Sequence, residues 1–294
     1  MVTGRVGPDG TVVIPVFNGE SGLRQAIESA LLQGSSNWVV LVSDNASTDG
    51  TASVLRQFLG DPRVRVVTQP ATLPVLEHFA VATRHVQTDL ACLLGHDDQL
   101  DAGVLTEAAA RLAEQAELLG VIPWVVNEYS TGSRRPALSE RDARRLSESP
   151  KAPLRWFFKR RFAAVNVIYG VWRTDFLTEV LSRAAVQVDL DNPMSDRAVA
   201  ADLLTAGPVY VTRRGMLVKA VRPSSVHRLS MRQELRGFQQ VATVLRQRPE
   251  SHHHMLAARL ASLRLLAALT GSAAASRAAL SRLAGLVSAG RRAQ

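Results

Sequence analysis

The sequence predicts an α/β protein whose mostly parallel sheet is flanked by helices and followed by a helical C-terminal extension. Short apolar stretches alternate with stretches of helical periodicity as far as residue 129, which is typical of βαβ units. From residue 231 onward, Ala, Leu and Arg dominate. The composition of the 294 residues, 46% hydrophobic and 21% charged, is that of a globular protein with a full core.

The first half of the chain has the clearest periodicity. Apolar and β-branched residues predict strands at 11–16, 38–43, 63–68, 90–94 and 121–129. Apolar residues at helical spacing predict helices at 20–33, 51–59, 76–86 and 101–119.

The second half has weaker patterns. Residues 132–153 are rich in Ser, Arg, Glu and Pro, and we interpret them as a mobile loop or a short helix. Further on, the sequence predicts a strand at 165–173, a helix at 195–206, an extended stretch at 209–219, and two or three helices from 232 onward.

The positive charge is concentrated in the extension. Residues 231–294 contain ten arginines and two glutamates, and therefore +8 of the formal net charge of +9. Three interpretations are open: packing on the preceding domain, dimerisation, or contact with an anionic membrane surface. The arginines are spread out rather than clustered, which favours packing or a homodimer over peripheral membrane contact. We expect no nucleic-acid partner, because Phe238 is the sole aromatic residue of the extension.

The single cysteine indicates a reducing compartment. Cys92 lies within an apolar stretch and has no partner for a disulfide within the chain. Residues 1–10 lack the features of a signal peptide, and two arginines interrupt the longest apolar stretch, 255–270, which argues against a membrane span. We expect a cytoplasmic protein, with peripheral contact at the inner membrane face as the alternative.

An acidic pair ends the fourth predicted strand. Asp97 and Asp98 follow residues 90–94 after Gly95 and His96, at the carboxyl end of a strand, where open α/β sheets bind ligands. Two carboxylates there can hold a divalent cation against a diphosphate. A helix cap or a turn is the alternative, because Asp is common at both.

Four segments, in this order, resemble family-2 glycosyltransferases with the GT-A fold. Residues 13–19 resemble the opening strand of that family, and residues 41–51 resemble its second-strand motif, an acidic residue followed by a Ser-Thr-Asp-Gly turn. The acidic pair stands at the position of the metal-binding DXD motif, with His96 in place of the first acid. Residues 195–208 resemble the segment of the catalytic base.

The resemblance covers roughly residues 11–230 and implies a Rossmann-like nucleotide-diphospho-sugar transferase. The implied reaction moves a sugar from a nucleoside-diphosphate sugar, with a UDP-sugar favoured, to an acceptor hydroxyl with inversion. The resemblance implies that the nucleotide sugar is bound by residues of the first, second and fourth strand ends: Pro15, Phe17, Asn18, Glu20, Asp44, Asn45, Ser47 and Asp97.

The resemblance further implies a cofactor and a general base. Asp98 would bind Mg²⁺ or Mn²⁺, which stabilises the departing diphosphate, and His227 would be a further metal ligand. Asp196 would accept the proton of the acceptor hydroxyl, with Asp189 and Asp191 as competitors. A position near the acceptor is expected for residues 169–173, although strand packing is an equal alternative for Trp172.

The predicted organisation is a catalytic domain at 1–230 and a basic helical extension at 231–294. The nucleotide-binding half covers about 11–120 and the acceptor half about 121–230. The acceptor class, whether small molecule, glycan or natural product, stays open, although the Ala-, Arg- and Leu-rich composition fits a bacterial source. Two other functions remain open: a sugar-nucleotide nucleotidyltransferase, whose usual Arg- and Lys-containing Gly-rich loop is missing at 18–22, and a non-catalytic nucleotide- or partner-binding relative.

Overall fold

A computed structural model describes residues 9–33, 38–148, 164–188, 195–221 and 231–245. Within these ranges the strands are β1 Gly10–Val16, β2 Trp38–Asp44, β3 Val64–Thr68, β4 Leu90–Leu93, β5 Gln99–Leu100, β6 Gly120–Tyr129, β7 Arg134–Pro136, β8 Val171–Arg173 and β9 Val209–Val221. They form one sheet in the order β3-β2-β1-β4-β8-β6-β9-β5, and β7 pairs with β6 beside this path.

Helices cover both faces of the sheet. The described helices are α1 Leu23–Leu31, α2 Thr51–Arg56, α3 Val75–Arg84, α4 Val104–Glu114, α5 Glu140–Glu148, α6 Thr174–Gln187, α7 Ser195–Ala206 and α8 Met231–Leu245, with a 3₁₀ helix at Ala164–Tyr169.

The first four strands in the order of the sheet are parallel. β1 lies between β2 and β4, and β3 follows on the far side of β2. Val16 pairs with Asp44, and Asp44 pairs with Thr68, so these strands end at the same level. The loops that follow β1, β2 and β4 therefore meet at one edge of the sheet.

The other half of the sheet is mixed. β8 is antiparallel to β4 and to β6, whereas β6 and β9 are parallel. The short strand β5 follows the acidic pair and pairs with β9 in antiparallel register, Gln99 opposite Val218. This pairing places the residues just before Gln99 next to Lys219.

Side chains alternate between two hydrophobic clusters, one on each face of the sheet. Val13 and Leu93 belong to the cluster that also contains residues of α3, α6, α7 and α8. Ile14 and Cys92 belong to the opposite cluster, with residues of α1, α2 and α4. Strands that are buried on both faces need continuous apolar sequences, which is the reason their positions could be predicted.

The predicted α/β class is confirmed, and the first seven elements lie within a few residues of their predicted bounds. The strand predicted at 165–173 is wrong in its first part, where a 3₁₀ helix precedes the three residues of β8. Helix α6 was not predicted, although its buried residues Leu177, Val180, Leu181 and Ala184 have helical spacing. Of the stretch predicted as a loop or short helix, residues 140–148 form α5.

The described part of the extension is the helix α8, which packs against α7 and α6. Val241 and Val244 on this helix are buried in the same cluster as α6 and α7, as the packing interpretation predicts for this segment. Residues 246–294 lie outside the described residues, and the division into two domains stays a prediction. None of the helices in the described ranges has both the length and the apolar character that a membrane span needs.

Candidate active site at the carboxyl edge of the sheet

Hydrogen bonds interlock the loop after β1 with the loop after β2. Asn18 has a positive φ of 52°, which Asn tolerates better than most residues. Its backbone N–H donates to Oγ of Ser47 over 2.9 Å, and its side-chain oxygen accepts from the N–H of Thr48 over 2.9 Å. Asn18 and Ser47, both predicted to bind the nucleotide sugar, thus hold the two loops together.

A second set of contacts closes the same pair of loops. The Glu20 carboxylate accepts a hydrogen bond from the N–H of Gly50 over 3.2 Å, and the Glu20 N–H donates to Asp49 over 3.0 Å. A side chain at Gly50 would collide with the Glu20 carboxylate. The Asp49 carboxylate also accepts from the N–H of Thr51 over 3.0 Å and from its hydroxyl. The Ser-Thr-Asp-Gly turn is therefore a scaffold for the first loop.

Asp44 and Asn45 lie beneath these loops and are buried. Oδ1 of Asp44 accepts from the N–H of Ser47 over 3.1 Å. The Asn45 side chain donates to the carbonyl of Leu73 and accepts from its N–H, both over 2.9 Å. The Asn45 amide thereby fixes the segment before α3.

A buried polar layer supports Asp44 from below. His78 Nε2 and the Ser43 hydroxyl are 2.9 Å apart, and Gln69 donates to the same hydroxyl over 3.3 Å. Burial lowers the pKa of His78, although the Asp44 charge partly opposes this. The imidazole is therefore neutral near pH 7, and the charge beneath the first two loops is that of Asp44.

Pro15 and Phe17 complete the predicted nucleotide side. Pro15 is buried within β1 opposite Ser43. The Phe17 side chain, by contrast, is 45% exposed at the end of the strand. An exposed aromatic ring beside buried polar groups is a surface on which a planar base can stack.

The acidic turn after β4 rests on two glycines of the first loop. A methyl group at Gly19 would stand 2.8 Å from the His96 ring, and one at Gly22 would stand 2.9 Å from the His96 carbonyl and 3.0 Å from Cα of Asp97. The His96 side chain therefore packs against the first loop. Gly95 is equally restricted, because a methyl group there would stand 2.5 Å from Oδ2 of Asp98.

Asp98 is buried and both of its oxygens have protein partners. Its side chain is 1% exposed. Oδ2 accepts a hydrogen bond from Nζ of Lys219 over 2.5 Å, and Oδ1 accepts from the N–H of Ala220 over 3.1 Å. Lys219 Nζ also lies 3.6 Å from the centre of the Tyr169 ring, which is a cation–π geometry. Strand β9 therefore supplies a cation to the acidic turn.

The ionisation of this pair follows from its surroundings. Burial raises the pKa of Asp98, and the charge of Lys219 opposes that rise. For Lys219, burial acts to lower the pKa, but Tyr169, Asp98 and Asp97 together outweigh burial, so that its pKa is raised. The ammonium form of Lys219 is thus strongly favoured.

Asp196, the predicted base, lies in the first turn of α7 and is partly buried. Burial raises the pKa of Asp196 to about 6, while Arg197 and Lys219 act to lower it. Helix α7 is anchored to α6 by a buried ion pair, with Arg183 Nη2 and Asp202 Oδ2 2.9 Å apart. The competitors Asp189 and Asp191 lie outside the described residues.

Tyr169 connects the acidic turn with the candidate base. Lys219 acts to lower the pKa of Tyr169, but burial and the charges of Asp98, Asp196 and Asp97 outweigh it, so that the pKa is raised. Because all four charged groups affect the pKa of the Tyr169 phenol, each lies within electrostatic range of it. These electrostatic effects indicate that the acidic pair, the candidate base and Lys219 lie in the surroundings of Tyr169, with Lys219 Nζ 3.6 Å from the ring centre.

The remaining residues of the 169–173 segment have structural roles. Trp172 is fully buried, and its indole N–H donates to the Val167 carbonyl over 3.2 Å. Arg173 donates to three carbonyls at the end of α4, those of Leu112, Ala116 and Leu118. Trp172 thus has the strand-packing role, and Tyr169 is the member of this segment that reaches the site.

The described donor set does not fit a divalent cation as it stands. Mg²⁺ and Mn²⁺ need several accessible oxygen ligands, whereas the Asp98 carboxylate is 1% exposed and already accepts hydrogen bonds from Lys219 and Ala220. Among the residues that the structure describes, no three His, Cys, Asp or Glu side chains are grouped as a metal site. His227, the second predicted ligand, lies outside the described residues.

Sequence reasoning missed Lys219, although the sequence contains a signal. The chain has 32 arginines and three lysines, and one of those lysines interrupts the otherwise apolar stretch 216–221 at the end of β9. A lone lysine in such a strand indicates a position where a compact ammonium is required. Its partner Asp98 is 121 positions away, so the pairing itself could not be predicted.

The fold and the carboxyl-edge site define a glycosyltransferase of the GT-A class. Residues 11–174 match the sequence profile of glycosyl transferase family 2, and the chain belongs to this family. It is 37% identical over 102 residues to the uncharacterized protein y4gI of Sinorhizobium fredii, a match that covers 34% of this chain and 11% of that protein. It is also 40% identical over 52 residues to EpsE of Bacillus subtilis, covering 18% and 19% of the two chains.

Solved structures share the fold at low identity. The complex of S. aureus TarS with UDP-GlcNAc has a TM-score of 0.62 and 14% identity, covering 87% of this chain and 71% of that one. The mannosyltransferase PcManGT of Pyrobaculum calidifontis, in complex with GDP-Man and Mn²⁺, has a TM-score of 0.54 and 18% identity, covering 98% and 81%. The predicted GT-A fold is confirmed, and the chain spans about a fifth or less of the two sequence relatives.

Proposed function

We propose that this glycosyltransferase moves a sugar from a nucleoside-diphosphate sugar, in the first instance a UDP-sugar, to an acceptor hydroxyl with inversion at the anomeric carbon. The observation that carries this proposal is the contact of Lys219 with Asp98 and with the Tyr169 ring, within electrostatic range of Asp196 and beside the interlocked loops of β1 and β2. A base, a cation and a nucleotide-sized surface are what such a transfer requires.

The nucleotide half of the edge supports a nucleoside diphosphate as the donor group. Asp44 can accept a hydrogen bond from the base, and the exposed ring of Phe17 can stack on it. Lys219 would then provide the positive charge for the diphosphate, which is attached to the nucleoside. TarS and PcManGT, which share the fold, are complexed with UDP-GlcNAc and GDP-Man respectively.

Asp196 would act as the general base. Its carboxylate accepts the proton of the acceptor hydroxyl while that oxygen attacks the anomeric carbon from the side opposite the diphosphate. The new carbon–oxygen bond forms as the bond to the diphosphate oxygen breaks, and the leaving group keeps the electron pair. A pKa of about 6 makes Asp196 a stronger base than an ordinary aspartate, yet leaves it mostly ionised at pH 7.

The predicted Mg²⁺ or Mn²⁺ would neutralise negative charge on the same leaving group. Asp98 would have to exchange Lys219 for the metal before it could act as a ligand, and His227 has no described position. The cation available to the diphosphate in the described residues is the ammonium of Lys219.

The other expectations extend this proposal. The acceptor is a small molecule, a glycan or a natural product, and the protein has no nucleic-acid partner. Cytoplasmic location, a homodimer through the C-terminal helices, and peripheral membrane contact stay predictions, since most of the extension lies outside the described residues.

The test of the proposed chemistry is Asp196→Asn. Loss of a general base costs about 10² to 10⁴ in turnover, so we expect at least a hundredfold lower kcat with UDP affinity nearly unchanged. Asp175, an exposed residue in the first turn of α6, provides the matched control Asp175→Asn, which should keep full activity. UDP release from a panel of UDP-sugars measures turnover, and calorimetry measures UDP binding.

Two results would contradict the proposal. Near-normal turnover of Asp196→Asn would remove the base role from this residue. A wild-type chain that binds neither UDP nor any other nucleoside diphosphate would contradict the donor class itself.

A further inference from the structure

We propose that Lys219 is the resident cation of this active site and takes the place that the sequence assigns to a divalent metal at Asp98. The inference rests on the proposed function for its substrate, a nucleoside diphosphate. It assigns to Lys219 the contact with the diphosphate, and to Asp98 the task of holding Lys219 rather than a metal ion.

The first argument is the occupancy of Asp98. Its two oxygens accept from Lys219 Nζ and from the Ala220 N–H, over 2.5 Å and 3.1 Å. Each oxygen keeps a further lone pair, but a carboxylate that is 1% exposed has no open space beside it for a metal ion while Lys219 is in place. A divalent ion at Asp98 would therefore displace the ammonium, and the freed Lys219 would remain beside the metal as a like charge.

The second argument is that the pairing is built into the sheet. Gln99 and Leu100 of β5 pair with Val218 and Leu217 of β9. The next residues along these two strands, Asp98 and Lys219, therefore lie opposite each other. The backbone N–H of Ala220 fixes the same carboxylate. Strand pairing thus brings the Lys219 side chain next to Asp98.

The third argument is the surroundings of the ammonium. One N–H of Lys219 points to Asp98, and the ring of Tyr169 lies 3.6 Å from Nζ. These contacts account for two of the three directions in which an ammonium can donate. The side chain is 18% exposed, which leaves part of the ammonium open to a further acceptor such as a phosphate oxygen.

The fourth argument is that an ammonium group can perform the chemistry for which a metal was predicted. A charge-assisted hydrogen bond from an ammonium to a phosphate oxygen is short and strong. A preorganised cation also stabilises the negative charge that develops on the departing diphosphate. Lys219 could therefore supply both the binding and the leaving-group stabilisation for which a metal was predicted.

A comparison inside the protein provides a matched control. The ion pair Arg183–Asp202 has the same side-chain exposures as Lys219–Asp98, 18% for the cation and 1% for the carboxylate. It lies between α6 and α7, away from the acidic turn. One double variant, Asp98→Asn with Lys219→Met, neutralises the pair at the acidic turn. The other, Asp202→Asn with Arg183→Met, neutralises the equally buried pair between α6 and α7.

The first experiment measures UDP binding by calorimetry to the full chain, in EDTA and in excess Mn²⁺. We expect equal affinity within about twofold in both conditions, and an affinity at least about tenfold lower for Lys219→Met and for the Asp98/Lys219 double variant. The Arg183/Asp202 double variant should keep the wild-type affinity. Circular dichroism checks that each variant is folded.

The second experiment measures Mn²⁺ alone, by electron paramagnetic resonance, and requires no nucleotide. The wild type should show no Mn²⁺ site that Asp98→Asn removes, whereas Lys219→Ala should gain such a site because it frees the Asp98 carboxylate. An Asp98-dependent Mn²⁺ site in the wild type would overturn the inference, as would UDP affinity that falls tenfold in EDTA. If the wild type bound no nucleoside diphosphate, the proposed function would fail, and the Mn²⁺ measurement would still decide the role of Lys219.

Discussion

The two sides of the carboxyl edge are built from different interactions. On the nucleotide side, the loops after β1 and β2 are joined by short hydrogen bonds between side chains and backbone, such as those of Asn18 with Thr48 and Ser47. On the catalytic side, buried charges from three distant segments meet: Asp98, Lys219 and Asp196. This difference predicts that binding of the nucleoside depends on loop shape, whereas binding of the diphosphate and the chemical step depend on ionised groups.

The largest expected effect on turnover comes from a methyl group added at Gly95, next to Asp98 on the catalytic side. In Gly95→Ala the new Cβ would stand 2.5 Å from Oδ2 of Asp98, which forces the carboxylate away from Lys219. Displaced buried charges are costly, and we expect turnover to fall about a hundredfold. Gly60→Ala is the control, because no atom lies within 4 Å of its Cβ position. Normal turnover of Gly95→Ala would show that the Asp98 position is not required.

We expect the pH dependence of activity to come from the ionisable groups of the catalytic side and not from the nucleotide side. Burial raises the pKa of Asp196 to about 6, and the base must be ionised to accept a proton. Between pH 7 and pH 5 the ionised fraction, and with it kcat, should fall about tenfold. UDP affinity should change little if it depends on the hydrogen bonds of the nucleotide side. A kcat that is constant from pH 5 to pH 7 would contradict Asp196 as the titrating base.

The same shift in pKa has a consequence for folding. Because the folded-state pKa of Asp196 lies above its ordinary value of 3.8, its contribution to stability is fully present below pH 3.8 and is lost as the pH rises through about 6. Asp196→Asn should therefore stabilise the fold at pH 8 by up to about 3 kcal/mol, since one pKa unit corresponds to roughly 1.4 kcal/mol. Denaturant unfolding at pH 8, with Asp175→Asn as the control, measures this gain. An equal gain in both variants would mean that burial of Asp196 is not its cause.

The two sides also differ in how far the sequence could predict them. The residues of the nucleotide side lie in two short motifs at the ends of strands, so that their position at the edge of the sheet could be predicted from residues 13–19 and 41–51, while their contacts with a nucleotide stay a prediction. The Lys219–Asp98 pair depends on β5, a strand of two residues, and no periodicity can be recognised over that length. Asp196 was found through a resemblance, whereas Tyr169 was included only as part of a segment.

Some predicted roles proved more structural than expected, for a related reason. Asn45 and Ser47 were identified from a motif as ligand-binding residues, yet their side chains accept or donate hydrogen bonds within the protein. A sequence motif does not distinguish a residue that touches the ligand from one that shapes the loop that does. Whether these side chains also contact the donor stays a prediction.

The smallest expected effects test this distinction on the nucleotide side. Asn45→Ala removes two buried hydrogen bonds to Leu73 and should cost about 1–3 kcal/mol of stability, measured by denaturant unfolding. Ser47→Ala removes one exposed hydrogen bond to Asn18 and should cost about 0.5–1.5 kcal/mol or less. Both variants should bind UDP a few-fold more weakly and keep their kcat at saturating donor. A large loss of kcat in either variant would show that the nucleotide side also takes part in the chemical step, and the separation of recognition from ionisation would then be wrong.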